Sequence, residues 1–177
     1  GTIVGYLSGD IKTGLLIGII IELVWIRVIP VGELPPNMTV STIMATYWSL
    51  LNSEKLQSTI MLSILIAIPT GIIFKKLEIL SRQFNTRLAK IVDKEINTGK
   101  EYIISFITFL GILLSVVKSF MFYLLLLPVG GFVVNFLDTI LIVSIKESLS
   151  FALMIIPAVG LAAVFSSFYK TRAHEIK

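Results

Sequence analysis

Glu22 is the residue of this sequence that most demands an explanation. It lies inside an apolar block, residues 13–29. An ionisable side chain at bilayer depth costs about 2.5–3.5 kcal/mol on insertion scales, and it usually faces a bundle interior or a watery path. Its carboxylate suits solute hydroxyls, or a proton-sensitive gate. The structural alternative is an ion pair, for which Lys118 is the candidate cation. Asp10 and Thr13 stand at the approach to the same block, where Asp10 is placed to cap the following helix or to meet solute. Asn37, after Pro35 and Pro36, has the same choice, and a helix starting behind it offers free amides to an oxygen-rich ligand. Thr39, Thr42, Thr46 and Ser49 recur at spacings of three and four, so their hydroxyls share one helical face. Asn135 and Asp138 are weaker candidates. Trp25, Tyr47 and Trp48 read as interface anchors rather than sugar-stacking platforms.

Several chemistries have nothing to build on. The chain has no cysteine and a single histidine, His174, in a polar tail, so no disulfide, thiolate metal site or histidine catalysis is expected. No Ser/His/Asp set, phosphate-cradling glycine loop or metal-ligand cluster appears in the sequence. The expectation is a protein that is not an enzyme and that uses no cofactor and no metal.

The elements that must position these residues are helical. After the block 13–29, closed by Arg27 and Pro30, comes a turn-rich segment with Gly32, Glu33, Pro35 and Pro36, which two prolines keep from being helical throughout. Segment 38–51 reads as a short helix with Asn37 as its N-cap, too short to cross a hydrocarbon core of about 30 Å. It is either a re-entrant element lining a cavity or an interfacial helix. Segment 59–74 is a membrane span with a kink at Pro69. Segment 75–100 holds seven Lys or Arg against Glu78, Asp93 and Glu95. There Leu77, Leu80, Phe84, Leu88 and Ile91 mark an amphipathic helix with a basic face, cytoplasmic by the positive-inside rule. Segment 102–127 is the longest apolar run, interrupted only by Lys118. A break at 128–131 and a short segment at 132–145 follow. The last span is 148–169, and Lys170 and Arg172 place the tail in the cytoplasm.

Composition supports the membrane assignment without any relative. Apolar residues make up 55% and charged residues 15% of 177, against about a quarter charged in soluble domains; mean hydropathy is +0.93. The pI of about 9.4 comes from charge collected beside apolar segments, where it reads as topology and contact with anionic lipid rather than nucleic acid. The fold expected is all-α, a polytopic transmembrane helical protein with re-entrant or broken short helices. It forms a single membrane domain over 1–177, divided into a first half (1–74), a basic amphipathic loop (75–101) and a second half (102–177). Each half is expected to hold a long apolar helix, a Pro/Gly break, a short polar-tinged segment and a second apolar helix. Paired breaks of this kind point to a midplane binding site.

The run Gly9-Asp10-Ile11-Lys12-Thr13-Gly14 with Gly18, then Glu22-Leu23, Gly32 and Pro35-Pro36-Asn37, resembles the membrane-embedded IIC subunit of the mannose/fructose/sorbose-family sugar phosphotransferase systems. The segment Ile156-Pro157-Ala158-Val159-Gly160 is similar to that family's Leu-Pro-Ala-Val-Gly helix. Asn37 stands where the family usually has Asp, and Arg27 and Glu33 stand where small residues are common. Counterparts of the family's first helix and of its C-terminal membrane region are not found. With a chain that starts at Gly1, this implies a piece of a longer protein or a divergent branch.

The resemblance implies a permease subunit in a bacterial cytoplasmic membrane, crossing it several times and moving a sugar. It would work with a IID-like membrane subunit and with cytoplasmic IIA and IIB proteins, in a homo- or hetero-oligomer. By the same resemblance Asp10, Glu22 and Asn37, with Thr13 and Thr42 nearby, line or support the sugar path, and Gly32, Pro35 and Pro36 form the structural break. The alternatives are a non-transporting membrane scaffold and an unrelated small-solute channel.

Overall fold

The computed structural model describes residues 1–25, 36–51, 56–96 and 101–175. Every regular element among them is an α-helix: α1 (Thr2–Leu7), α2 (Ile11–Trp25), α3 (Met38–Leu51), α4 (Gln57–Ile96), α5 (Glu101–Ile140) and α6 (Val143–Glu175). Three of these contain stretches long and apolar enough to cross a membrane, Gln57–Lys90, Ser105–Ile140 and Val143–Ser166. Arg27, Pro30, Gly32, Glu33 and Pro35 lie outside the described residues.

The glycine-rich run near the start folds as the corner between α1 and α2. Gly9 takes φ +80°, a left-handed conformation that glycine adopts without steric penalty. It closes α1, and the Asp10 amide then donates to the Gly5 carbonyl at 2.8 Å. Asp10 caps α2 by accepting twice from Thr13, from its amide at 3.1 Å and from its hydroxyl at 2.9 Å. The expected capping role of Asp10 is therefore what the geometry displays. Helix α2 turns Gly14, Ile17, Ile21 and Trp25 inward, and Gly18 faces the Thr42 methyl of α3.

Helix α3 occupies the span read from sequence, and Asn37 caps it by accepting from the Val40 amide at 3.1 Å. Its 14 residues reach only about 21 Å. Its first turn lines a cavity, with Asn37, Thr39 and Val40 in the wall, while most of its length is packed against protein. Val40 to Thr42, Met44 to Thr46, Trp48 and Ser49 are buried, chiefly against α4. Thr46 and Ser49 donate their hydroxyls to the carbonyls of Thr42 and Thr46 on the same helix, at 2.7 and 2.9 Å. Ser58, Thr59, Ser63 and Thr70 of α4 are buried too, so the α3–α4 core is rich in small hydroxyl side chains. Small residues of this kind let helices pack closely in lipid, where apolar burial drives association only weakly.

Two expected boundaries are absent among the described residues. The segments read as 59–74 and 75–100 are not separate elements as far as they are described: one helix, α4, runs through both to Ile96 and continues through Pro69. Likewise α5 is continuous across Pro128-Val129-Gly130-Gly131, where a break was expected. The reason is a neighbour: a Cβ at Gly130 would collide with the Trp48 indole, and Trp48 donates its ring N–H to the Leu127 carbonyl at 2.9 Å. Membrane helices tolerate Pro and Gly where an adjacent helix packs into the notch. Trp48 is 1% exposed and Trp25 is buried, so neither is an interface anchor. The chain turns instead at Leu141 and Ile142, and α6 starts five residues earlier than the span at 148–169. Asp138 at the end of α5 pairs with Lys146 at the start of α6 at 3.1 Å and accepts from the Thr59 hydroxyl of α4 at 3.2 Å. The outer faces of α5 and α6, including Phe106, Phe109, Phe132 and Phe165, are exposed. Such surface is stable against lipid or another protein.

Candidate functional site

Helix α3 begins against the middle of α4, where the Asn37 amide donates to the Gly71 carbonyl at 3.3 Å. A Cβ at Gly71 would come within 2.9 Å of the Asn37 carbonyl oxygen, so this junction needs glycine. Beyond it α4 turns polar, with Glu78, Arg82 and Asn85 spaced four and three apart on one face. Helix α5 runs antiparallel to it and presents Ser115, Lys118, Ser119 and Tyr123. These groups, with Asn37 and Thr39, line an open cavity of about 480 Å³, within the roughly 300–1,000 Å³ of small-molecule sites.

An aromatic wall fixes the cation of this cavity. The Lys118 ammonium lies 5.2 Å from the centroid of the Phe74 ring, within cation–π range. Phe74 in turn meets Phe122 edge-on, with centroids 4.9 Å apart at 69°. The remaining lining is suited to hydroxyl-rich ligands. Glu78 accepts, Lys118 and Arg82 donate, and the amides of Asn37 and Asn85 and the hydroxyls of Thr39, Ser119 and Tyr123 do both. A larger groove of about 920 Å³ continues along α4 and α5 and shares Asn85, Ser115 and Ser119 with the polar cavity. Its other walls, among them Leu88, Val92, Ile112 and Phe120, are apolar, so the chemistry belongs to the smaller space.

The structure places the residues singled out in the sequence in three different settings. Asn37 and Thr39 line the cavity. Asp10 and Thr13 satisfy each other at the α1–α2 corner, and Thr42 is buried with its methyl toward Gly18. Glu22 is exposed on the face of α2 that also carries Leu15, Leu16 and Ile19. It does not meet Lys118, because among the described residues α2 makes no contact with α5. Pro36 is non-helical ahead of α3, while Gly32 and Pro35 lie outside the described residues. Asn135 is exposed and Asp138 is engaged in its ion pair. The residues that sequence reasoning missed are Glu78, Arg82, Asn85, Ser115, Ser119 and Tyr123. Their signal was present as polar residues at helical spacing on two helices. On α4 it was absorbed into a basic face, and on α5 only the charge of Lys118 stood out.

Comparison with known proteins adds two findings. A family model described as the PTS system sorbose-specific IIC component matches residues 1–174. The chain is 39% identical over 56 residues to "Putative N-acetylgalactosamine permease IIC component 2" of Escherichia coli (strain K12), an alignment covering 31% of this chain and 42% of that relative. No solved structure matches.

Proposed function

The chain belongs to the family of the PTS system sorbose-specific IIC component, and from that premise we propose a specific task for it. It is the membrane-embedded permease subunit of a phosphoenolpyruvate-dependent sugar phosphotransferase system, and it translocates a hexose-like sugar that a partner subunit phosphorylates. The observation that carries this reading is the polar cavity at the start of α3, where Asn37 stands beside Glu78, Asn85 and Lys118. A hexose offers hydroxyls that both donate and accept, and this set answers both while Phe74 gives an apolar ring wall.

In this proposal Asn37, Glu78 and Asn85 bind the sugar. Asp10 and Thr13 hold the α1–α2 corner, and Thr42 seats α3 on α2. Glu22 is assigned to the sugar path outside this cavity, on the exposed face of α2, where an intramembrane carboxylate suits a watery route. The partners are a IID-like membrane subunit with cytoplasmic IIA and IIB proteins, in a bacterial cytoplasmic membrane that the chain crosses several times. The name of the E. coli relative makes N-acetylgalactosamine one sugar to try, beside sorbose, mannose and fructose. The test is equilibrium binding of labelled sugars to the purified protein in lipid nanodiscs. Saturable binding of a hexose that weakens in Asn37→Ala and Glu78→Gln supports the proposal; binding of none of the panel contradicts it.

A further inference from the structure

The cavity at the start of α3 holds more positive charge than a neutral sugar requires. Arg82 and Lys118 enter it from opposite helices, and Glu78 is its one carboxylate. Among the described residues neither Arg82 nor Lys118 is ion-paired; the Lys118 ammonium rests over the Phe74 ring. At the same place α3 starts: Asn37 takes up the Val40 amide, and the amides of Met38 and Thr39 in the first turn precede the intrahelical ladder. Lys acts as a point charge toward phosphate and Arg as a planar fork that matches two of its oxygens. The amides of a helix start add to the same field.

The geometry points to an anion subsite for a phosphomonoester, formed by Lys118 and Arg82 within this cavity. Identifying that phosphomonoester as the phosphorylated sugar rests on the permease reading; the anion subsite itself does not. In that assignment Asn37, Glu78 and Asn85 hold the sugar ring and the two cations hold the new phosphoryl group. Glu78 opposes a dianion, so product is held without being trapped. A lipid phosphate is the other source of the same chemistry, because the cavity opens into the apolar groove along α4 and α5.

The experiment compares binding of a hexose, its 6-phosphate, inorganic phosphate and short-chain phosphatidate to the purified protein. The hexose phosphate is expected to bind about tenfold or more tightly than the hexose. That gain should vanish in Lys118→Met and in Arg82→Gln and persist in Lys118→Arg. Lys90→Met, a charge removed from exposed α4 outside the cavity, should leave it unchanged. Unaltered hexose affinity in Lys118→Met shows that the fold is intact. Equal affinity for hexose and hexose phosphate, or a gain that survives both charge removals, overturns the subsite. Inorganic phosphate binding that depends on Lys118, with no hexose binding, keeps the subsite and sinks the permease reading. Phosphatidate that outcompetes the sugar phosphate, and that weakens in Ile112→Asn, keeps the subsite but overturns the sugar assignment in favour of lipid.

Discussion

Asn37 joins the stability of α3 to the cavity, and the two roles can be separated by substitution. Its Oδ1 accepts from the Val40 amide at 3.1 Å. Replacing a capping Asn by Ala costs about 1 kcal/mol, with a range of about 0.5–2, or about fivefold in the folding equilibrium. Asn37→Ala should lose that amount, since no other side chain of the described residues caps this amide. Asn37→Asp keeps an acceptor at the same position and adds a negative charge at the positive end of the helix dipole, worth about 0.3–1 kcal/mol. Lys118 and Arg82 across the cavity favour the same charge. The order of stability should therefore be Asp at least equal to Asn, and both above Ala. The assay is reversible unfolding by SDS in mixed micelles, followed by helical circular dichroism. An Ala variant as stable as the parent, or an Asp variant that falls with Ala, would refute the capping argument. Hexose affinity should drop in Asn37→Ala, because the side-chain amide leaves the cavity wall with the cap.

Other consequences follow from the packing. Gly130→Val places a branched side chain where the Trp48 indole sits, and overpacking of this kind costs about 1–3 kcal/mol; SDS unfolding should show the loss, and Trp48→Ala in the same background should recover part of it. Trp48→Phe keeps a ring but removes the N–H that reaches Leu127, so it should cost about 0.5–1.5 kcal/mol. Asp138 and Lys146 are 21% and 27% exposed, so a double-mutant cycle of Asp138→Asn with Lys146→Met should give a coupling of about 1 kcal/mol, inside the usual span for contacting residues. A coupling near zero would mean that the α5–α6 turn does not depend on this pair.

The parts of the fold legible in the sequence were those governed by local rules. Composition pointed to helices in a membrane, and Asn37 ahead of an apolar stretch marked the start of α3 to the residue. Asp10 and Thr13 at cap spacing gave the corner before α2. What local rules could not give was the effect of one helix on another. Pro128, Gly130 and Gly131 are breakers when read along the chain, yet α5 runs through them with Trp48 and Leu51, distant in sequence, packed into the glycine notch. The charge of segment 75–100 suggested a separate loop element, whereas its described part, to Ile96, continues α4 with α5 alongside. The site was half legible for the same reason. Asn37 and Lys118 each stood out in an apolar setting, but their sharing of one cavity is a property of how α3, α4 and α5 pack. Glu22 stood out just as strongly, and helical phase places it on the exposed outer face of α2, away from the cavity.

The account turns on whether this protein carries a sugar that is phosphorylated as it crosses. The direct measurement is uptake of radiolabelled hexoses into vesicles or cells that hold the protein together with IIA, IIB and IID subunits, with phosphoenolpyruvate supplied and the product separated by charge. The account predicts uptake that requires both phosphoenolpyruvate and this protein, recovery of the label as a sugar phosphate, and a marked fall in Asn37→Ala and Glu22→Gln. Uptake that proceeds equally without this protein, or no uptake of any hexose by the complete set, would contradict it.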